Sequence, residues 1–261
     1  MHPQQTNTPS LQTRDLTVRF GGHVAVNAVS CAFQSGTLTA IVGPNGAGKT
    51  TYFNLISGQL KASSGQVLLN GRDISALPAS SRTHAGLGRA FQLTSLFPKL
   101  TVMENVRLAL QSRRGLGLDM WNVWNRHKAL IDRADRILDT VALSAKRDMQ
   151  AAALPHGDQR KLEVALLMAL DPAVYMFDEP TAGMSVDEVP VILDLIRTLK
   201  TQTDKTILLV EHKMDVVREL ADRIIVLHNG TLMADGEPET VIASPVVQQA
   251  YLGLAPVEET A

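Results

Sequence analysis

The sequence predicts an α/β fold: a parallel sheet flanked by helices, with an N-terminal antiparallel β subdomain and an inserted helical subdomain. Three observations point there. The short apolar runs TLTAIV (37–42), AVYMF (173–177) and ILLV (207–210) read as buried strands of a parallel sheet. Leu16, Val18 and Phe20 alternate, and Asn70-Gly71 interrupts VLLNGRDI (67–74), which together suggest antiparallel pairing early in the chain. Residues from about 93 to 155 then lose the strand pattern and take up helical spacing.

Taken in order, LQTRDLTVRF (11–20) is a half-buried strand, and TLTAIV feeds directly into a glycine-rich loop. From Thr101, TVME fits a capping box with Glu104 three residues on, opening a helix through about Leu110. Residues 111–128 carry both tryptophans and little periodicity, after which Leu130, Ile131, Ala134, Ile137, Leu138 and Val141 recur at helical spacing. AVYMF follows as a strand, Ser185 and Glu188 form a second capping box, and ILLV is the next strand. IIVLHNGTLMADG (224–236) closes the pattern with a hairpin turning at Asn229-Gly230. The ending PVEETA (256–261) reads as a disordered acidic tail.

At 261 residues the chain is long enough for one large domain, and its 45% hydrophobic and 20% charged residues exclude wholesale disorder. A net charge of −1 gives no footprint for nucleic acid. The single Cys31 cannot form an internal disulfide, which suits a reducing compartment. The N-terminal stretch lacks a signal-peptide pattern, and no window approaches the ~18 uninterrupted apolar residues of a membrane span.

Chemistry concentrates in GPNGAGKT (43–50), which satisfies G-x-x-x-x-G-K-[ST] between a strand and a helix and so defines a P-loop NTPase core. Gly43, Gly46 and Gly48 let backbone N–H groups face a β-phosphate, Lys49 reaches the β- and γ-phosphates, and the Thr50 hydroxyl holds Mg²⁺. VYMFDEP (174–180) ends a strand in two carboxylates, Asp178 for the Mg²⁺ shell and Glu179 to polarise an attacking water. His212, just past a strand in LLVEHKM (208–214), is placed to hydrogen-bond a γ-phosphate. Gln92 in RAFQ is a candidate for Mg²⁺ or the attacking water, against the plain reading of a loop glutamine. Phe20 is a candidate for stacking on adenine, against core packing. LPHGDQRKLE (154–163) enters a helix without a recognisable phosphate or metal pattern.

In order, Phe20, GPNGAGKT, Phe91-Gln92, LPHGDQ, FDEP, AGMS and Glu211-His212 resemble the full motif series of an ATP-binding cassette (ABC) subunit. GDQRKLE, DEPTAGMS, LVEHKMDVV, VVQQAYLG and the insertion around Trp121 and Trp124 are similar to the ATPases of branched-chain amino acid importers; urea and amide importers and the lipopolysaccharide-export ATPase are near relatives. The resemblance implies one domain over residues 1–261: a core of about 11–92 and 156–252, a helical subdomain of about 93–155, and a tail of 253–261. It implies ATP held by Phe20, Gly43, Pro44, Asn45, Gly46, Ala47, Gly48, Lys49, Thr50 and Thr51, with Mg²⁺ at Thr50, Gln92 and Asp178, and catalysis by Glu179, His212 and Gln92. It also implies that Pro155, His156, Gly157 and Asp158 act on nucleotide held by a second ATPase subunit. The other implied partners are two transmembrane permeases and, indirectly, a substrate-binding protein, at the cytoplasmic face of the inner membrane.

Two positions depart from that series. Pro155 stands where the family usually has a serine, and proline offers neither hydroxyl nor N–H. Ser185 stands where an aspartate is common. An ATP-binding regulatory cassette with impaired turnover is the reading Pro155 favours and an intact Glu179 opposes. A P-loop kinase or GTPase would leave Glu179 and LPHGDQ without explanation.

Overall fold

The computed structural model describes residues 10–90, 96–113 and 128–252, the side chains of 250–252 excepted. The predicted Gln92, the tryptophan-bearing insertion and the tail after 252 lie outside these residues. An antiparallel sheet carries β1 (Leu11–Phe20), β2 (His23–Phe33), β4 (Ser64–Leu69) and β5 (Arg72–Asp73) in the order β2-β1-β4-β5. The second sheet runs β10-β9-β3-β8-β7-β6, built from β3 (Leu38–Val42), β6 (Leu87–Ala90), β7 (Val174–Asp178), β8 (Thr206–Val210), β9 (Arg223–His228) and β10 (Thr231–Gly236). All its pairings are parallel except β9 with β10.

Period-two alternation on β7 shows why its apolar run is a strand covered on both sides. Val174 and Met176 face one core with Ile41, Leu208, Val210, the antiparallel sheet and α1 (Lys49–Ser57). Tyr175 and Phe177 face the other, with Ile207 and Leu209. That second core takes in α3 (Val102–Arg113), α4 (Lys128–Thr140), α5 (His156–Leu170) and α6 (Val189–Lys200). On α4, Leu130, Ala134, Ile137 and Leu138 are the buried positions, one stripe of a 3.6-residue helix. Smaller helices complete the chain: α2 (Ala79–Ala85), α7 (Met214–Leu220), α8 (Pro238–Ala243) and α9 (Pro245–Leu252).

Both Asn-Gly hairpins form, Asn70-Gly71 with φ of 48° and 78° and Asn229-Gly230 with φ of 47° and 75°, as a two-residue turn matching strand twist requires. The Thr101 capping box closes in both directions: Glu104 N–H donates to Thr101 Oγ1 at 3.1 Å, and Thr101 N–H donates to Glu104 Oε2 at 2.8 Å. The box at Ser185 does not open a helix. Glu188 Oε2 accepts from the Ser185 N–H and hydroxyl, but Glu188 N–H bonds the Ser185 carbonyl as a turn, and α6 begins at Val189 with Pro190 in its first turn. Among the described residues no helix is long and apolar enough to cross a membrane.

Candidate active site

Three neighbouring parallel strands, β3, β8 and β7, end on one edge, and each runs into a segment singled out by the sequence. Open α/β sheets bind ligands at that carboxyl edge. After β3, residues 43–48 curl into the start of α1. A Cβ on Gly43 (φ 150°) would lie 2.1 Å from the Leu227 carbonyl oxygen, and one on Gly48 (φ 96°) 2.6 Å from that of Ala25. Only glycine fits either place. Gly48 leads into α1 with no side-chain cap, so the first-turn N–H groups have no side-chain acceptor. Lys49 is buried, and its ammonium spans the loop to the carbonyls of Gly43 at 2.7 Å and Pro44 at 3.0 Å. Burial lowers its pKa, with the Glu179 and Asp178 carboxylates acting in the other direction. Thr50 and Thr51 are half-buried at the head of α1, and Asn45 and Gly46 are exposed.

Asp178 ends β7 and is buried. Burial raises its carboxyl pKa, partly offset by Arg89, whose Nη2 donates to Asp178 Oδ2 at 2.6 Å. The next residue, Glu179, adopts φ 51°, a left-handed conformation costing about 1–3 kcal/mol for a non-glycine residue. It is pinned there by its N–H to Val210 O at 2.9 Å and its carbonyl to Ala182 N–H at 3.0 Å. The strained backbone sets the Glu179 carboxylate 2.6 Å from His212 Nε2, two residues the sequence placed at strand ends and the structure places after adjacent strands. Half-exposed as both are, they face the open edge.

Beneath this pair lies a contact the sequence reading did not find. Thr181 and Glu211 are buried, the Thr181 hydroxyl donates to Glu211 Oε1, and Glu211 Oε2 accepts the His212 N–H at 2.8 Å. The charged residue at the end of an apolar strand was the available signal. Arg89 was likewise missed, although an arginine in a strand pattern announces a buried charge seeking a partner.

Phe20 is 51% exposed at the end of β1, so core packing is not its role. Its hairpin returns as β2, whose Ala25 and Val26 lie against Gly48 and Gly230, so Phe20 sits on the hairpin that borders the phosphate loop. Pro155 and His156 are exposed at the head of α5, whereas Gly157 and Asp158 are buried. Asp158 pairs with Lys146 and, at 2.9 Å, with Lys161; burial alone would raise its pKa, but these two cations bring it below the usual value. Among the described residues no hydrogen bond or ion pair joins residues 155–158 to residues 43–51.

A phosphate-binding loop, a paired carboxylate and histidine, and an exposed aromatic hairpin on a P-loop sheet define a nucleotide-binding cassette. Residues 26–182 match the ABC transporter family model, and the chain belongs to that family. It is 39% identical to the "High-affinity branched-chain amino acid transport ATP-binding protein LivG" of Escherichia coli strain K12, covering 95% of this chain and 99% of that one. It is 36% identical, again over 95% and 99%, to the corresponding BraF protein of Pseudomonas aeruginosa. Among solved structures it resembles the ADP conformation of MJ1267, an ATP-binding cassette of an ABC transporter, with TM-score 0.78, 29% identity, and coverage of 94% and 98%.

Proposed function

We propose that this chain is the ATP-hydrolysing subunit of an ABC importer, powering uptake of branched-chain or related amino acids through partner membrane subunits. The contact that carries the reading is Glu179 to His212, 2.6 Å apart at the sheet edge that also bears the phosphate loop. The named relatives supply the cargo class.

The donor set fits Mg²⁺. A threonine hydroxyl and a buried aspartate carboxylate are the hard oxygen donors Mg²⁺ takes, alongside waters and substrate phosphates. Thr50 and Asp178 would hold it, with Gln92 as a third contact, and when bound it neutralises charge on the β- and γ-phosphates. Phe20 stacks on the base. Residues 43–51 wrap the phosphates, Lys49 trading its two carbonyl contacts for phosphate oxygens. Glu179 orients water and takes its proton, and His212 directs its Nε2–H to Glu179, as here, or to the γ-phosphate once nucleotide is bound. Pro155, His156, Gly157 and Asp158 serve the nucleotide of a second ATPase subunit, a reading supported by the exposure of Pro155 and His156 at the head of α5. The remaining partners are two permeases and, through them, a substrate-binding protein. The chain then sits peripherally on the cytoplasmic face of the inner membrane and needs no nucleic acid.

The test is ATP hydrolysis by the purified chain against Glu179→Gln. General-base loss lowers turnover about 10²–10⁴-fold while nucleotide still binds. Equal rates would overturn the assignment. Leucine uptake by vesicles carrying the chain with its permeases tests the cargo, with urea, amide or lipid transport the competing outcomes. Pro155 favours one other reading, a regulatory cassette with slow turnover, because the uncapped head of α5 lacks a hydroxyl.

A further inference from the structure

We infer that Arg89 is a positioning residue that holds the two halves of the Mg²⁺ site, Thr50 on α1 and Asp178 on β7, at a fixed separation. The inference rests on the Mg²⁺-dependent reading above. Arg89 lies on β6 opposite Met176 of β7, with its side chain 7% exposed and that of Asp178 5%. Its two terminal nitrogens divide their work. Nη2 donates to Asp178 Oδ2 at 2.6 Å, while Nη1 donates to Asn54 Oδ1 at 2.7 Å, Ser57 Oγ at 2.8 Å and Gln59 Oε1 at 3.1 Å. The guanidinium also lies 5.0 Å over the Phe53 ring. One side of a rigid fork therefore grips α1 and its end, and the other grips the carboxylate.

Asn54 is four residues after Thr50, so the two lie on one face of α1, a turn apart. The gripped residue shares its face with the hydroxyl. At Asp178, Oδ2 is committed to Arg89 and no described residue donates to Oδ1, which leaves that oxygen for the water shell of a cation. Mg²⁺ demands near-ideal octahedral geometry, so a small shift between hydroxyl and carboxylate is costly. A buried ion pair adds little net stability over an apolar replacement, which makes orientation the better account of a charge at this place.

The experiment titrates Mg²⁺ against binding of N-methylanthraniloyl-ADP to the full chain. Arg89→Met is expected to raise the half-saturating Mg²⁺ concentration about 10–100-fold, the usual effect of removing a residue that orients a metal ligand. Arg89→Lys, which lacks the fork, falls between, and binding in EDTA stays within about twofold. If Arg89 only ties β6 to α1, melting temperature falls but the Mg²⁺ midpoint does not move, and the inference is wrong. Should charge alone matter, removing a cation beside Asp178 lowers the midpoint, which equally sinks it. Asn54→Ala keeps the cation and loosens only the α1 grip; it raises the midpoint several-fold, and no change there overturns the inference even if Arg89→Met fails to fold. A parent chain whose binding ignores Mg²⁺ would instead overturn the functional reading itself, and this inference with it.

Discussion

Thr181→Val tests whether the histidine after β8 is aimed by a buried carboxylate. Valine matches threonine in shape and removes only the hydroxyl, which here donates to Glu211 Oε1 in a pocket where Thr181 is 1% and Glu211 3% exposed. A hydrogen bond to a charged group contributes about 1.5–3 kcal/mol, and water cannot easily replace it at that depth. For a chain of this length each kcal/mol moves the melting temperature by about 2–4 °C, so Thr181→Val should melt about 3–12 °C lower. Glu211 then turns toward other donors and releases the His212 N–H, so turnover should fall together with stability. Differential scanning calorimetry and steady-state hydrolysis read the two effects, with Thr181→Ser, which keeps the hydroxyl, as the near-silent control. A shift under 1 °C with unchanged turnover would refute the reasoning, because an unpaired buried carboxylate oxygen cannot be that cheap.

A Cβ on Gly157 would lie 2.0 Å from Glu188 Oε1, the far end of a flexible side chain that can turn away, so Gly157→Ala should change stability by no more than about 1 kcal/mol in urea denaturation, and Gly157→Ala with Glu188→Ala should stabilise, since alanine favours a helix by about 0.5–1 kcal/mol over glycine. Pro155→Ser restores a donor to α5 and should raise turnover of a symmetric dimer by up to about 10²-fold; a rate within twofold of the parent would show that His156 and backbone N–H groups suffice. Thr101→Ala removes an N-cap from α3 and should cost about 1 kcal/mol at neutral pH. The backbone hydrogen bond from Thr101 first, and its hydroxyl second, lower the Glu104 pKa. A depressed carboxyl pKa gives stability that is complete above the unfolded value of about 4.3 and fades as pH falls through the folded one. Glu104→Gln should therefore destabilise at pH 7, and in pH-resolved thermal melts the gap to the parent should narrow as pH falls below the unfolded carboxyl value and close once the depressed folded one is passed.

The sequence made the phosphate loop and its strand visible because both are local: the loop needs glycine where 2.1 Å separates a Cβ from a carbonyl, and the strand needs apolar residues on two faces. The Asn-Gly turns were legible for the same reason. Ser185 and Glu188 misled because a capping box reports side-chain reach, and here the side chains meet while the backbone closes a turn first. Arg89 and Thr181 were not legible as site residues, since their partners are 89 and 30 positions away and only the pairing of β6 with β7 and of β7 with β8 brings them together. Gln92 lies beyond the described residues.

Strand spacing gives the site its scale. Neighbouring strands lie about 4.8 Å apart, so β3, β8 and β7 deliver Gly43, His212 and Glu179 within about 10 Å of sheet edge, before any side chain bends. What the sheet cannot supply is direction. A residue before proline prefers extended backbone, yet Glu179 precedes Pro180 and turns left-handed, held by Val210 from the neighbouring strand. The same strand leads directly into Glu211, whose carboxylate accepts the His212 N–H. Glu179 and His212 are thus both aimed from the end of β8, and the cost of the Glu179 conformation is offset by the β7–β8 pairing that leads up to it. On the proposed reading this separates two functions in space: a rigid edge that builds the chain's own hydrolytic groups, and an exposed Pro155-His156 at the head of α5 that, among the described residues, has no hydrogen bond or ion pair to residues 43–51. On that same reading a symmetric pair of chains, each offering both surfaces, would close two such sites with a single kind of contact.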